Sequence, residues 1–423
     1  MLSSMERLQG LLGILLILGI ALLASNNRRR IDWRLVGTGI ALQTAIALLI
    51  FKVGPIGTFF AWLGRGMGKI EEFARDGAEF VYGGIAVVEG GKAIDYRAGG
   101  FVFAFNVLAT IVLVCALIAL LYHLGIMQRI VATIARGMNA VMRVSGAETL
   151  SNVASAFVGQ VEAQMMIRPY LKGMTQSELL ASMSGSLACI AGGILIVYAN
   201  MGAGAGMDLA PKLITASIMA APGALVIAKI VWPETEESQT MGRVKLDVKS
   251  EYCNAIDAIS HGSFDGFRIG MNVIAMLIGF TALIAGINWS LGEIGHLFDP
   301  QFTLSLDWIF SKLFYPMAWA MGVPSQDVTS VATLLGTKLT VNEFVAFKNL
   351  TDKTVPIATE KGLLILSIAI CGFANFASVG MQIGGIGALA PERRGDLARL
   401  GLKALLCGTL ASYLSAAIAG IIT

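Results

Sequence analysis

Eight stretches of this chain contain no Asp, Glu, Lys or Arg: 8–27, 35–51, 98–128, 179–207, 213–228, 269–292, 362–391 and 404–423. A helix needs about 20 largely apolar residues to cross the hydrocarbon core of a bilayer, and most of these runs supply them. The rest of the composition leaves little alternative. Of 423 residues, 56% are hydrophobic and 14% charged, where a soluble domain carries about 25% charged. A fold in water could not cover itself with so few polar side chains. The sequence therefore specifies an all-α polytopic membrane protein with about eight transmembrane helices. A net charge of +3 is too small for a nucleic-acid partner.

Basic residues set the expected orientation. Arg28, Arg29, Arg30 and Arg34 lie between the first two runs, Arg129, Arg136 and Arg143 follow the third, and Arg393, Arg394 and Arg399 separate the last two. Such loops mark the cytoplasmic face, which puts both termini outside and the polar stretch 233–251 inside. The first run ends in Ala21-Leu22-Leu23-Ala24, as a signal peptide could, but its basic cluster follows the apolar run. A retained helix is expected. Segments 56–80 and 126–142 mix apolar and charged residues and read as helices in the interface plane, or as plain amphipathic connectors. Cys115, Cys189, Cys253, Cys371 and Cys407 are scattered without metal-binding or disulfide spacing and read as free thiols.

Two segments, 146–175 and 304–355, do not look like spans. Each is only moderately apolar and holds a carboxylate in its middle, within Gly159-Gln160-Val161-Glu162-Ala163-Gln164 and within Lys338-Leu339-Thr340-Val341-Asn342-Glu343. Short apolar arms around a polar tip suit a re-entrant hairpin, which membranes tolerate only where protein or a wet cavity surrounds it. Each is followed by a run interrupted in mid-course: Ser184-Gly185-Ser186-Leu187-Ala188-Cys189 after the first, Gly372-Phe373-Ala374-Asn375 after the second. Paired interrupted helices in corresponding halves point to a transporter's binding site. Three spans separate the hairpins, so they enter from opposite faces as an inverted repeat requires. The expected organisation is scaffold spans and interfacial helices over 1–145, a first repeat over 146–230, a loop and scaffold span over 231–303, and a second repeat over 304–423.

Within this frame Glu162 and Glu343 are the leading functional residues, because intramembrane acids are costly and rarely idle. Gln160 is a site candidate beside Glu162, whereas Asn342 reads as a helix cap. Asn375 has several hydrogen bonds to place in mid-span, which favours a site role. Ser155 and Ser378 carry less weight, since a membrane serine often bonds its own i−4 carbonyl. Phe373 is a packing residue unless its place beside Asn375 recruits it. His123, His261 and His296 form no cluster, and Gly202-Ala203-Gly204-Ala205-Gly206 reads as a loop. Without a phosphate-binding loop or metal motif, ATP-driven transport and membrane-bound hydrolysis are disfavoured.

The strings Gly159-Gln160-Val161-Glu162-Ala163 with Arg168-Pro169, Asn342-Glu343-Phe344-Val345-Ala346 and Gly372-Phe373-Ala374-Asn375 resemble the concentrative nucleoside transporter family, and the eight-span length is similar to its bacterial branch. The resemblance implies a secondary active nucleoside importer of the bacterial inner membrane: a cation symporter, not an enzyme, homotrimeric, without organic cofactor, using alternating access of a mobile transport domain. It places the base against Gln160, Val161 and Glu162 with Ile194 beside the ring. The ribose then falls to Glu343, Asn375 and Ser378, with Phe373 nearby. Two departures stand out. Val161 occupies a position where many members carry Thr or Ser, and Gln164 one where many carry Pro.

The coupling-ion region implied by the resemblance maps to Ser155, Val158, Cys189 and Ile190, where sodium-coupled members use an Asn, a Ser and main-chain carbonyls. Sodium is hard and prefers oxygen, so a thiol at Cys189 is a poor ligand. Ser155 at the Asn position looks like the proton-coupled branch, with Glu343 or Glu162 carrying the proton. H+ is therefore expected over Na+, with no metal site assigned. Sodium coupling, or import of a related polar metabolite such as a nucleobase, are the alternatives.

Overall fold

The computed structural model describes residues 4–82, 88–89, 92–93, 103–241, 252–299 and 304–423. Over these the chain is helical apart from one two-residue antiparallel pairing, β1 (Val88–Glu89) with β2 (Lys92–Ala93), and an isolated bridge between Ser145 and Met241. It is an all-helical polytopic membrane protein. Among the described residues, four stretches are long and apolar enough to cross a bilayer without a sharp bend: Trp33–Lys52, Gln176–Gly204, Ala210–Val231 and Pro391–Ile422. The described residues of the other four expected spans also fall largely on helix, the run 362–391 with the interruption its sequence announces.

The N-terminal part comprises α1 (Ser4–Leu23), α2 (Trp33–Lys52), α3 (Gly54–Tyr82), α4 (Phe103–His123) and α5 (Ile126–Met142). Asp32 starts α2 by accepting from the backbone N–H groups of Arg34 and Leu35, as an N-cap should. The charge-free run 98–128 is not one span. Gly125 adopts φ +71 and the axis turns by 77° into α5; residues 98–102 lie outside the described residues. Buried Met127, Val131, Ala135, Met138 and Met142 form one face of α5, and Arg129 and Arg136 occupy exposed positions. This amphipathic pattern explains why the helix lies across the end of α4 instead of continuing it.

The segment 146–231 contains α6 (Gly146–Ser155), α7 (Glu162–Met165), α8 (Arg168–Leu171), α9 (Gln176–Ala188), α10 (Gly192–Gly204) and α11 (Ala210–Val231). Matching capping boxes start α6 and α9: Ser145 with Glu148, and Thr175 with Glu178. The glycine-alanine string after Met201 is not a loop. Gly202 to Gly204 complete α10, and Gly206, at φ +77, closes it with hydrogen bonds from Met207 N–H to the Gly202 carbonyl and from Gly206 N–H to the Ala203 carbonyl. A left-handed glycine just past the last turn satisfies carbonyls that would otherwise be orphaned.

Next comes α12 (Ala255–Phe298), 44 residues long. The charge-free run 269–292 is only its middle, because Asp257, Asp265 and Arg268 continue the helix through polar turns. Gly262, Gly266 and Gly270 press against α4 so closely that a β-carbon at Gly262 or Gly266 would meet backbone atoms of α4, the close approach that small residues permit between membrane helices. Elsewhere α12 exposes Phe264, Ile278, Leu283 and Trp289. Of the loop 233–251, residues 233–241 are described.

The segment 304–423 contains α13 (Leu306–Leu313), α14 (Tyr315–Ala320), α15 (Val328–Thr340), α16 (Glu343–Thr351), α17 (Glu360–Ile370), α18 (Phe376–Leu389) and α19 (Arg394–Ile422). α15 and α16 pack on each other across the link Val341-Asn342, and α9, α11, α17 and α19 form the central bundle. Buried charges tie the pieces at one end. Lys229, in the last turn of α11, lies 2.8 Å from Glu148 and 3.3 Å from Glu234, while Glu178 accepts from Ser238 at 2.5 Å. Arg393 donates to the carbonyls of Leu171, Lys172 and Met174 at the foot of α8. In the second half Asp327 does the corresponding work, accepting from the N–H groups of Ala358 and Thr359.

Candidate functional site

Both interrupted helices break at a cysteine, and the breaks touch. α9 ends at Ala188, capped by Cys189, and α10 begins after Ala191; α17 ends at Ile370, capped by Cys371, and α18 begins after its cap Asn375. The Phe373 N–H donates to the Cys189 carbonyl at 3.2 Å. Gly372 adopts φ +139, and a β-carbon there would lie 2.4 Å from the Ala188 carbonyl oxygen. Only glycine lets the two extended segments cross at this distance. Cys189, Ile190, Cys371 and Ala374 are all buried at these breaks, as irregular backbone at membrane depth requires.

Glu343 opens α16, one residue after its cap. Asn342 accepts from Val345 N–H at 2.9 Å and so starts the helix. The Glu343 carboxylate is 5% exposed. Its Oε1 accepts from the Tyr198 hydroxyl at 3.1 Å, and its Oε2 accepts from Asn375 Nδ2 at 2.9 Å. Asn375 also caps α18, its Oδ1 accepting from Ser378 N–H at 2.8 Å. One amide thus holds the start of a helix with one end and the carboxylate with the other. The acid sits in the first turn of α16 and against the first turn of α18, where the unpaired N–H groups and dipoles of helix starts favour negative charge. Tyr198 is itself fixed by stacking on Phe347, with ring centroids 4.5 Å apart.

Residues of the 159–162 segment reach the same helix. Gln160 is 8% exposed and its Nε2 lies 3.9 Å from the Met381 sulfur on α18, while its Oε1 is buried with no partner among the described residues. An orphaned amide oxygen in a dry site is costly unless a ligand serves it. Val161 packs against Gly385, where a β-carbon would come within 2.6 Å of it. Glu162, at the start of α7, is solvent-exposed, and its carboxylate folds over Gly159. The two acids therefore differ: Glu343 is enclosed and bonded, Glu162 open. Ile194 and Phe373 are half-buried on α10 and at the second break.

The coupling-ion candidates adjoin a polar cluster between α6, α7 and α9. The Ser155 hydroxyl bonds the Ser151 carbonyl at 2.8 Å and the Ser186 hydroxyl at 2.8 Å. Gln164 donates to Ser151 and Ser186 at 2.8 and 2.7 Å and accepts from Ser182 at 2.7 Å. Cys189 Sγ faces the carbonyls of Asn152 and Ser217 at 3.9 and 4.0 Å. Val158 and Ile190 are buried beside this cluster in sequence.

Tyr198 and Lys338 are the residues that sequence reasoning passed over. Tyr198 looks like one more aromatic in an apolar run, and its partner Glu343 lies 145 positions away. Lys338 is the sole lysine or arginine between Lys312 and Lys348, a signal that a charge census of the hairpin arms alone could have raised.

Comparison with known proteins agrees with this architecture. The family models described as Na+ dependent nucleoside transporter N-terminus and C-terminus match residues 12–85 and 212–420, and one described as nucleoside recognition, Gate, matches 104–205. Nucleoside permease NupC of Helicobacter pylori is 37% identical over 97% of this chain and 96% of its own. Sodium/nucleoside cotransporter 1 of Mus musculus is 37% identical over 99% of this chain and 64% of its own. The solved structure of CNTnw in an inward-facing substrate-bound state superposes with a TM-score of 0.90 at 38% identity, covering 99% of this chain and all of that one. On this evidence the chain belongs to the concentrative nucleoside transporter family.

Proposed function

We propose that this protein is a nucleoside importer of a bacterial inner membrane, both termini outside, driven by proton symport, and that Glu343 is the acceptor for the sugar hydroxyls. The observation carrying this reading is the enclosed Glu343 carboxylate, held by two neutral donors where the interrupted helices cross. Each oxygen accepts one bond from the protein, which leaves further lone pairs for two vicinal hydroxyls. Asn375 and Ser378 line the same helix start, and Phe373 closes it. Gln160, with its unserved Oε1, Val161 and Glu162 meet the base, and Ile194 flanks the ring. The two hairpins, each followed by an interrupted helix, move as one body in alternating access, and three copies assemble around their scaffold helices.

Proton coupling is supported by how the oxygen donors are spent. Ser155 is already engaged by Ser151 and Ser186, and the neighbouring Cys189 offers sulfur, a soft donor that suits sodium poorly. A carboxylate near the substrate, Glu162 or Glu343, then carries the proton. Uridine accumulation in proteoliposomes, at fixed pH gradient with choline replacing sodium, tests the coupling. Accumulation is expected to persist, and strict sodium dependence would overturn it.

A further inference from the structure

Lys338 lies in the last turn of α15, is wholly buried, and its ammonium makes no hydrogen bond among the described residues. Taking an ammonium out of water is costly, and a nearby opposite charge offsets that cost. The titratable groups whose charge reaches it are Glu343 on α16 and Cys371 at the end of α17, neither of them in direct contact with the ammonium. Glu343 has the complementary need, since its direct partners Tyr198 and Asn375 are both neutral. The other charged or phenolic residues of the elements packed on α15 (Asp307, Lys312, Tyr315, Lys348, Glu360 and Lys361) occupy exposed or half-exposed positions. Lys338 and Glu343 stand on facing arms of one hairpin, either side of the Val341-Asn342 link.

We infer that Lys338 is the internal counter-ion that keeps the Glu343 carboxylate anionic and therefore able to accept the hydroxyls of the substrate. The inference rests on the reading of Glu343 as the sugar acceptor. Lys338 is a positioning residue, acting through Glu343. It also leaves Glu162, which forms no ion pair among the described residues, as the carboxylate to carry the coupling proton. In a dry site, loss of a neighbouring positive charge favours the neutral carboxylic acid. A protonated Glu343 would present a donor where the sugar needs an acceptor.

Equilibrium uridine binding to the purified full chain, without any gradient, between pH about 6 and about 9 tests this. Wild-type affinity is expected to hold or rise on acidification. Lys338→Met should bind at least about tenfold more weakly at the acid end than at the alkaline end. Lys338→Arg, which keeps the charge, should follow the wild type. A Lys338→Met profile superimposable on a wild type that binds would overturn the inference alone. A wild type that binds no nucleoside overturns the sugar-site reading and the inference with it. Thermal unfolding gives a second readout independent of binding. Lys338→Met strands a buried carboxylate, so adding Glu343→Gln should restore stability; a double variant no more stable than Lys338→Met would overturn the inference.

Discussion

Replacing Gly372 by Ala tests the crossing of the interrupted helices directly. The new β-carbon would lie 2.4 Å from the Ala188 carbonyl oxygen and 3.0 Å from its carbonyl carbon. Backbone atoms on both sides cannot swing away as a flexible side chain could. The two segments must therefore part by about 0.6 Å for the oxygen contact to reach 3.0 Å. Overpacking of this kind costs about 1–3 kcal/mol, and holding a non-glycine residue at φ +139 adds about 1–3 kcal/mol. The sum is about 2–6 kcal/mol. The strain falls first on the 3.2 Å bond from Phe373 N–H to the Cys189 carbonyl, and then on Asn375, two residues beyond Phe373. Displacing Asn375 from Glu343 forfeits about 1.5–3 kcal/mol, or about tenfold to a hundredfold in affinity. The assay is uridine binding in detergent together with thermal unfolding. Gly380→Ala serves as control, because a β-carbon there meets nothing within 4 Å. Gly372→Ala with the stability and affinity of Gly380→Ala would refute the crossing geometry.

Three further outcomes follow from the same geometry. Asn375→Ala removes a helix cap and a bond to Glu343 together, and should lower uridine affinity at least about tenfold while costing about 1–2 kcal/mol of stability, read by binding and thermal unfolding. Gln164→Leu leaves Ser151, Ser182 and Ser186 without their amide partner; a loss of about 2–4 kcal/mol is expected, with unchanged stability contradicting the network. Lys229→Met leaves Glu148 buried without its ammonium and should destabilise by about 3–5 kcal/mol, whereas Lys229→Met with Glu148→Gln should recover much of that.

What the sequence disclosed, and what it withheld, follows from the range of the interactions. Apolar runs report on burial in lipid residue by residue, so helices at every expected span and the breaks at Cys189 and Gly372 were legible. The Asn342 cap was legible too, because capping is a matter of three adjacent residues. The turn after α4 was hidden by Leu124-Gly125, an apolar pair that keeps the run free of charge while Gly125 redirects the chain. The full length of α12 was hidden by Asp257, Asp265 and Arg268, which end an apolar run without ending a helix. Least legible was the environment of Glu343. Tyr198 and Asn375 come from different parts of the chain, and only folding brings them to one carboxylate. Gln164, flagged as a departure from the family pattern, gains its meaning in the same way, from serines on α6 and α9 that no local motif connects to it.

The most direct test of Glu343 as the sugar acceptor is a comparison of uridine, 3′-deoxyuridine and uracil binding to wild type and Glu343→Gln. A site built to hydrogen-bond hydroxyls rejects analogues lacking them, because its buried polar groups are then left unpaired. Wild type should bind uridine at least about tenfold more tightly than 3′-deoxyuridine, and bind uracil more weakly still. Glu343→Gln should lose most of its uridine affinity and most of that discrimination. Uracil binding as tightly as uridine, or Glu343→Gln discriminating as wild type does, would contradict the account.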